Sequence, residues 1–127
     1  MAKYKNKKIK YDGIIFDSIK EANRYKELKL LERAGEIREL RVHVGFVLIP
    51  AQYETYKRYG KTGKRLKDGR RCIEKEVTYI ADFTYWDCKT CKEVVEDVKS
   101  AITKKNPVYR LKKKLMLHVH GIKISEV

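Results

Sequence analysis

Val77-Thr78-Tyr79-Ile80-Ala81-Asp82-Phe83-Thr84-Tyr85-Trp86 and, after the polar break Asp87 to Lys92, Glu93-Val94-Val95-Glu96-Asp97-Val98-Lys99 are the stretches whose reading decides the fold. Both are rich in β-branched and aromatic residues, and both alternate, so each is expected to be a strand. In the first, Val77, Tyr79, Ala81, Phe83 and Tyr85 fall on one face and Thr78, Ile80, Asp82, Thr84 and Trp86 on the other. In the second, Val95, Asp97 and Lys99 share a face. A tight hairpin centred on Lys89-Thr90 sets Asp82 opposite Asp97 and Ile80 opposite Lys99.

Working outward, Leu40, Val42, Val44, Phe46 and Leu48 alternate with Arg41, His43, Gly45 and Val47, which predicts a half-buried strand ending at Pro50. His43, on its polar face, reads as a surface histidine, with a substrate-facing one as the alternative. Further upstream, Ser18-Ile19-Lys20-Glu21 is a capping box that opens a helix running to about Ala34, just before Gly35. Ile19, Ala22, Tyr25, Leu28, Leu30 and Leu31 are spread round that helix and single out no buried face. Ser18 lacks an evident base and reads as a cap, not a nucleophile. Downstream, Asn106-Pro107 supplies the cap and first residue of a helix to about His118, and Gly121 to Val127 reads as a short last strand. The expected order is helix, three strands, helix, strand: a single α/β domain over residues 1–127 with a mixed central sheet.

Composition agrees with one folded module. The chain has 127 residues, 43% hydrophobic and 38% charged, which is one domain's length with enough apolar material for a small core. No apolar run approaches the roughly 18 residues of a membrane span, and the N-terminus lacks the apolar stretch of a signal peptide, so a soluble, cytoplasmic protein is expected. Cys72, Cys88 and Cys91 are an odd count in a chain that needs no staples, and reduced thiols are the expectation. With His118 and His120 they are far from a standard zinc-finger spacing.

The formal net charge is +14, and its excess is concentrated. It lies in an N-terminal arm (1–12), in residues 53–71 and in residues 104–114. Three clusters on one small domain point to a phosphate-binding footprint rather than to solvated faces alone. In residues 53–71, Tyr53, Tyr56 and Tyr59 are interleaved with Lys57, Arg58, Lys61, Lys64, Arg65, Lys67, Arg70 and Arg71, while Gly60, Gly63 and Gly69 are expected to break regular structure. The segment therefore reads as a flexible basic loop inserted between strands. Its tyrosines could stack on bases or anchor the loop to the body.

The chemistry resides in the facing carboxylates. Like charges directly opposite destabilise a sheet unless a proton or a cation lies between them. Mg²⁺ or Mn²⁺ fits two aspartates that share it with phosphate oxygens, and Lys99 stands one step away to orient water or stabilise developing charge. An acid-x-Lys triplet occurs three times, at Glu27, Asp87 and Asp97, about as often as chance allows. What separates Asp97 is its strand context and the Asp82 opposite. Metal-assisted phosphodiester hydrolysis suits this arrangement. The alternatives are a non-catalytic nucleic-acid-binding accessory protein whose acids are structural, and an assembly protein that meets an acidic protein surface.

Phe16-Asp17-Ser18-Ile19-Lys20-Glu21-Ala22, Tyr79-Ile80-Ala81-Asp82-Phe83, Val95-Glu96-Asp97-Val98-Lys99 and the Lys112-Lys113-Lys114 helix together resemble small phage-encoded proteins of the PD-(D/E)xK nuclease superfamily, akin to Holliday-junction resolvases. The resemblance covers nearly the whole chain and implies a restriction-endonuclease-like core. It implies that Asp82, Asp97 and the Val98 carbonyl are metal ligands and that Lys99 is the catalytic lysine. Glu21 would reach the metal directly or through water, although capping alone also explains this glutamate. Ala81 stands where the motif's name has proline. The implied activity is a Mg²⁺- or Mn²⁺-dependent endodeoxyribonuclease in phage or prophage DNA processing, acting on branched or duplex DNA. The DNA would be held by Lys112, Lys113, Lys114, the 57–71 segment and the arm. A homodimer would supply two active sites for symmetric cutting, but no pattern in the chain marks an interface.

Overall fold

The computed structural model describes residues 8–127. Its elements run β1 (Ile9–Tyr11), β2 (Ile14–Phe16), α1 (Ile19–Arg33), β3 (Ile37–Ile49), β4 (Gln52–Tyr59), β5 (Arg65–Glu74), β6 (Val77–Asp87), β7 (Lys92–Asp97), α2 (Ala101–Lys104), α3 (Pro107–His120) and β8 (Ser125–Glu126). The central sheet is mixed: its order is β3-β6-β7-β8, antiparallel except for the parallel β7–β8 pair.

The helices begin where their caps dictate. The Ser18 hydroxyl accepts from the Glu21 amide at 3.1 Å, and the Asn106 side chain accepts from Val108 and Tyr109 ahead of Pro107. Each cap satisfies amides that have no partner inside the first turn. On α1 the buried residues are Glu21, Ala22, Tyr25 and Leu28, spaced three and four apart, whereas Ile19 and Leu30 face solvent. The stripe was hidden in the sequence because one of its members is a glutamate and comparable apolar residues lie outside it. A one-turn helix, α2, capped by Ser100, is an addition that the sequence pattern did not announce.

The expected β6–β7 hairpin register is present from Phe83↔Glu96 to Asp87↔Lys92. The ladder stops there, so Ile80 does not pair with Lys99 as expected; its partner is Gly45 on β3. The expectation of a single face for Val77 to Tyr85 is also corrected. Tyr79 and Ala81 pack with Val95, Tyr109, Met116 and Ile124 in one core, whereas Phe83 and Tyr85 pack with Phe16, Ala22, Tyr25 and Leu28 in another. On β7, Val95 enters the first core while its neighbour Glu96 is held by Arg24 of α1. Adjacent strand residues point to opposite faces, so α1 and α3 cover opposite sides of the sheet. Val42 pairs with Phe83 and Val44 with Ala81, but no bridge joins His43 and Asp82, and His43 has a φ of 54°. Alternation thus breaks on both strands at one level, which exchanges their faces while the register continues unchanged.

The basic segment 53–71 is not a loop. β4 and β5 form a two-stranded antiparallel ribbon that carries the β3–β6 pairing onward, from Ile49↔Val77 to Gln52↔Glu74 and out to Tyr59↔Arg65. Gly69, expected to break structure, lies inside β5 opposite Tyr56; a Cβ there would fall 2.3 Å from the tyrosine ring. The ring occupies the space a side chain would take, an aromatic-on-glycine pairing that steadies the ribbon. In the N-terminal arm, residues 1–7 lie outside the described residues. Ile9 to Phe16 form a small hairpin about Asp12 and Gly13, both with positive φ as a two-residue turn of this kind requires.

Arg24 fastens α1 to β7. Its guanidinium donates to both Glu96 oxygens, at 2.5 and 2.9 Å, and Tyr85 donates to the same carboxylate at 2.5 Å. Glu96 is 1% exposed. Removing the cation leaves a buried carboxylate without a counter-charge, so Arg24→Ala is expected to cost about 3 kcal/mol in urea unfolding. A loss below about 1 kcal/mol would show that Tyr85 alone satisfies Glu96.

Candidate active site

Asp97, the last residue of β7, is 1% exposed. Its Oδ2 accepts from the Tyr79 hydroxyl and lies 3.3 Å from Lys99 Nζ. Its Oδ1 is buried with no hydrogen-bond partner among the described residues. Lys99 also sits over the Tyr109 ring, 4.9 Å from its centroid. Lys99 lines a cleft of about 410 Å³ with Tyr79, Ile80, Tyr109 and Lys112, and is itself only partly exposed.

Asp82 stands on β6 where alternation breaks. Its Oδ2 accepts from the Val98 amide at 2.8 Å, the position of the ladder partner that β6 no longer supplies. Burial chiefly, then the neighbouring Asp97 carboxylate, hold the Asp82 carboxyl well above the usual range; the Val98 amide opposes this and Glu21 adds to it. The two aspartates therefore meet as expected, but beyond the end of the ladder and not as a ladder pair.

On the α1 side, Glu21 is buried and its Oε1 lies 2.9 Å from His43 Nε2. One ligand atom each from Glu21, His43 and Asp82 lies within 4.8 Å of the others. His43 is exposed, as the sequence predicts, and its ring nitrogen also joins the acid cluster. Asp82 connects the two groups, Glu21–His43 on one hand and Asp97–Lys99–Tyr79 on the other.

The donor set of carboxylate oxygens and one imidazole, together with an unpartnered buried carboxylate oxygen, fits a divalent cation. Glu21, His43 and Asp82 lie close enough together to hold it, with Asp97 adjoining Asp82. Val98, named for its carbonyl, contributes a visible amide contact to Asp82.

The expected nucleic-acid contacts diverge. Lys113 is bound to Glu126 at 2.7 Å. Lys112 lines the Lys99 cleft, whereas Lys114 lines a second cavity of about 340 Å³ with Lys104, Arg110 and Lys123. Consecutive helix residues point about 100° apart, so a lysine run spreads over three directions. The ribbon carries Lys57, Arg58, Lys61, Lys64, Arg65, Lys67, Arg70 and Arg71. Cys72, Cys88 and Cys91 are exposed free thiols. No helix among the described residues is long and apolar enough to cross a membrane.

The raised Asp82 carboxyl has a measurable consequence. The folded state binds this proton more tightly than the unfolded state, so its stabilisation is complete below about pH 4 and is lost as pH rises through neutrality. Asp82→Asn keeps the acceptor for Val98 and removes the titration. Its metal-free Tm relative to wild type is expected to climb across that interval, and a Tm gain from Mg²⁺, expected in wild type, to be lost. A difference in Tm independent of pH would contradict a raised carboxyl at this position.

No curated protein and no solved structure matches the chain. The family described as "Protein of unknown function (DUF1064)" matches residues 1–125. With nearly its whole length covered, the chain belongs to the DUF1064 family.

Proposed function

We propose that this protein is a metal-dependent endonuclease that hydrolyses phosphodiester bonds in DNA, built on a restriction-endonuclease-like core of α1, β3, β6, β7, α3 and β8. The observation that carries the reading is the buried Oδ1 of Asp97, unpartnered among the described residues and adjoining Asp82. A cation would satisfy that acceptor and take the place of the proton that Asp82 otherwise holds against Asp97.

Mg²⁺ bound there would polarise the scissile phosphate and lower the pKa of a bound water. The chain supplies the rest. Tyr79 fixes one oxygen of Asp97 and leaves the other to coordinate. The Val98 amide fixes one oxygen of Asp82 in the same way. Lys99 projects from the Asp97 side toward the cleft, where its ammonium stabilises charge that develops on the phosphate during attack. His43 orients Glu21 at the rim of the site. Lys112 and the ribbon cations hold the DNA backbone through contacts that are salt-sensitive and independent of sequence.

The test is cleavage of supercoiled plasmid and of a synthetic four-way junction with Mg²⁺ or Mn²⁺, beside an EDTA control. Asp97→Ala and Lys99→Ala are each expected to lower cleavage on the order of a hundredfold or more while DNA binding persists. Intact, salt-sensitive binding with no cutting by the wild type would sink the reading and favour a binding module. His43→Asn is expected to raise the Mg²⁺ concentration for half-maximal cleavage about tenfold, the scale of losing a group that orients a metal ligand. An unchanged metal dependence would leave His43 outside the site.

A further inference from the structure

The β4–β5 ribbon stands apart from the two cores: all of β4 and all of β5 except Gly69 are exposed. Its cations fall into two groups. Arg65 pairs with Asp68, and Arg71 pairs with Glu54. Arg70 lies 3.7 Å over the Tyr53 ring and Arg71 4.8 Å over Tyr56. The Arg70 and Arg71 contacts stiffen the inner part of the ribbon, while the Arg65–Asp68 pair lies toward its tip. Lys57, Arg58, Lys61, Lys64 and Lys67 make no ion pair among the described residues, and residues 57–67 contain no acid. Apart from the Arg65–Asp68 pair, the outer half of the ribbon therefore carries a dense positive charge that no acid among the described residues neutralises.

We propose that the ribbon is an arm for duplex DNA, which enters a groove and grips backbone phosphates well away from the acid cluster, setting the axis of the duplex. The proposal rests on the nuclease reading for the purpose of that alignment, but the binding itself does not depend on it. A two-stranded ribbon fits the roughly 12 Å width of the major groove. Lys57 and Arg58 on β4 and Lys67 on β5 reach toward the two flanking backbones, with Lys61 and Lys64 at the turn. Binding of single strands calls for open aromatic faces. Here Tyr53 lies under Arg70, and Tyr56 covers Gly69 and meets Arg71, so two of the three tyrosines are engaged within the ribbon. Along β3 and β4 the path from His43 to Lys57 rises about 46 Å at about 3.3 Å per residue. At about 3.4 Å per base pair, the unpaired cations of the arm reach phosphates about 14 base pairs from the acid cluster.

The test compares the full chain with a variant carrying Lys57→Gln, Arg58→Gln, Lys61→Gln, Lys64→Gln and Lys67→Gln, all exposed positions. Binding in EDTA is read by fluorescence anisotropy across a salt series, on a duplex of about 30 base pairs, one of about 8 and a single strand of about 30 nucleotides. Circular dichroism checks that the variant is folded. The expected result is at least a tenfold loss on the long duplex, with the salt slope reduced by about 0.9 for each phosphate contact removed, and much smaller changes on the other two. Unchanged affinity and slope on the long duplex, or an equal loss on the single strand, would overturn the arm. Cleavage assays separate the two readings: ribbon-dependent binding without cleavage removes the nuclease and keeps the arm, and metal-dependent cleavage with ribbon-independent binding does the reverse.

Discussion

At the level of Asp82 the sheet offers the Val98 amide no backbone acceptor, and a carboxylate fills that role. The substitution lets β7 leave β6 just as both β3 and β6 exchange the faces they present. Two cores result, one beneath α1 and one beneath α3, and they meet along the line where His43 and Asp82 stand. Every chemically interesting group is placed by that line. Glu21 and His43 arrive from the α1 side, Asp97, Lys99 and Tyr79 from the α3 side, and Asp82 belongs to both. A regular ladder through this point would have buried one set of side chains under each helix and separated the acids from the histidine.

Much of this was legible from the chain. Caps at Ser18 and Asn106 located both long helices because capping is local chemistry, and the β6–β7 hairpin could be registered because its turn is short. From that register alone Asp82 and Asp97 could be brought together. His43 could not, since its opposition to Asp82 depends on the pairing of β3 with β6 across a long intervening segment and on a break in alternation marked only by a positive φ. Nor could the ribbon be seen. Three glycines among cations read as a flexible loop, yet Gly60 and Gly63 make its turn and Gly69 accepts the Tyr56 ring inside a strand. Glycine signals a backbone requirement, and the sequence does not say whether that requirement is a turn or a close approach.

The positive charge was also easier to count than to place. The lysine run of α3 looked like one patch, but Lys113 is committed to Glu126 and its neighbours serve different hollows. The ribbon, by contrast, gathers its cations because a hairpin brings two separate stretches side by side. Net charge sets how strongly a polyanion is drawn in; the geometry of the elements sets where it comes to rest.

The ribbon bears on how the chain finds its structure. Ile49 and Val77 are adjacent in space but distant in sequence, and joining them directly would mean closing a long loop before any contact rewards it. The tight turn at Gly60 to Gly63 offers a cheaper beginning: isolated hairpins form within about 1–10 microseconds, and one begun there could extend inward through β4–β5 to β3–β6. Zippering also transmits alignment. A slip of one residue in the ribbon, carried down both strands, would displace His43 from Asp82 and scramble the inward and outward faces beyond them. The turn at the tip, together with the pairing shifts between Tyr56 and Arg58, Gln52 and Tyr53, and Val47 and Ile49, therefore acts as the index from which the alignment of a distant site is counted.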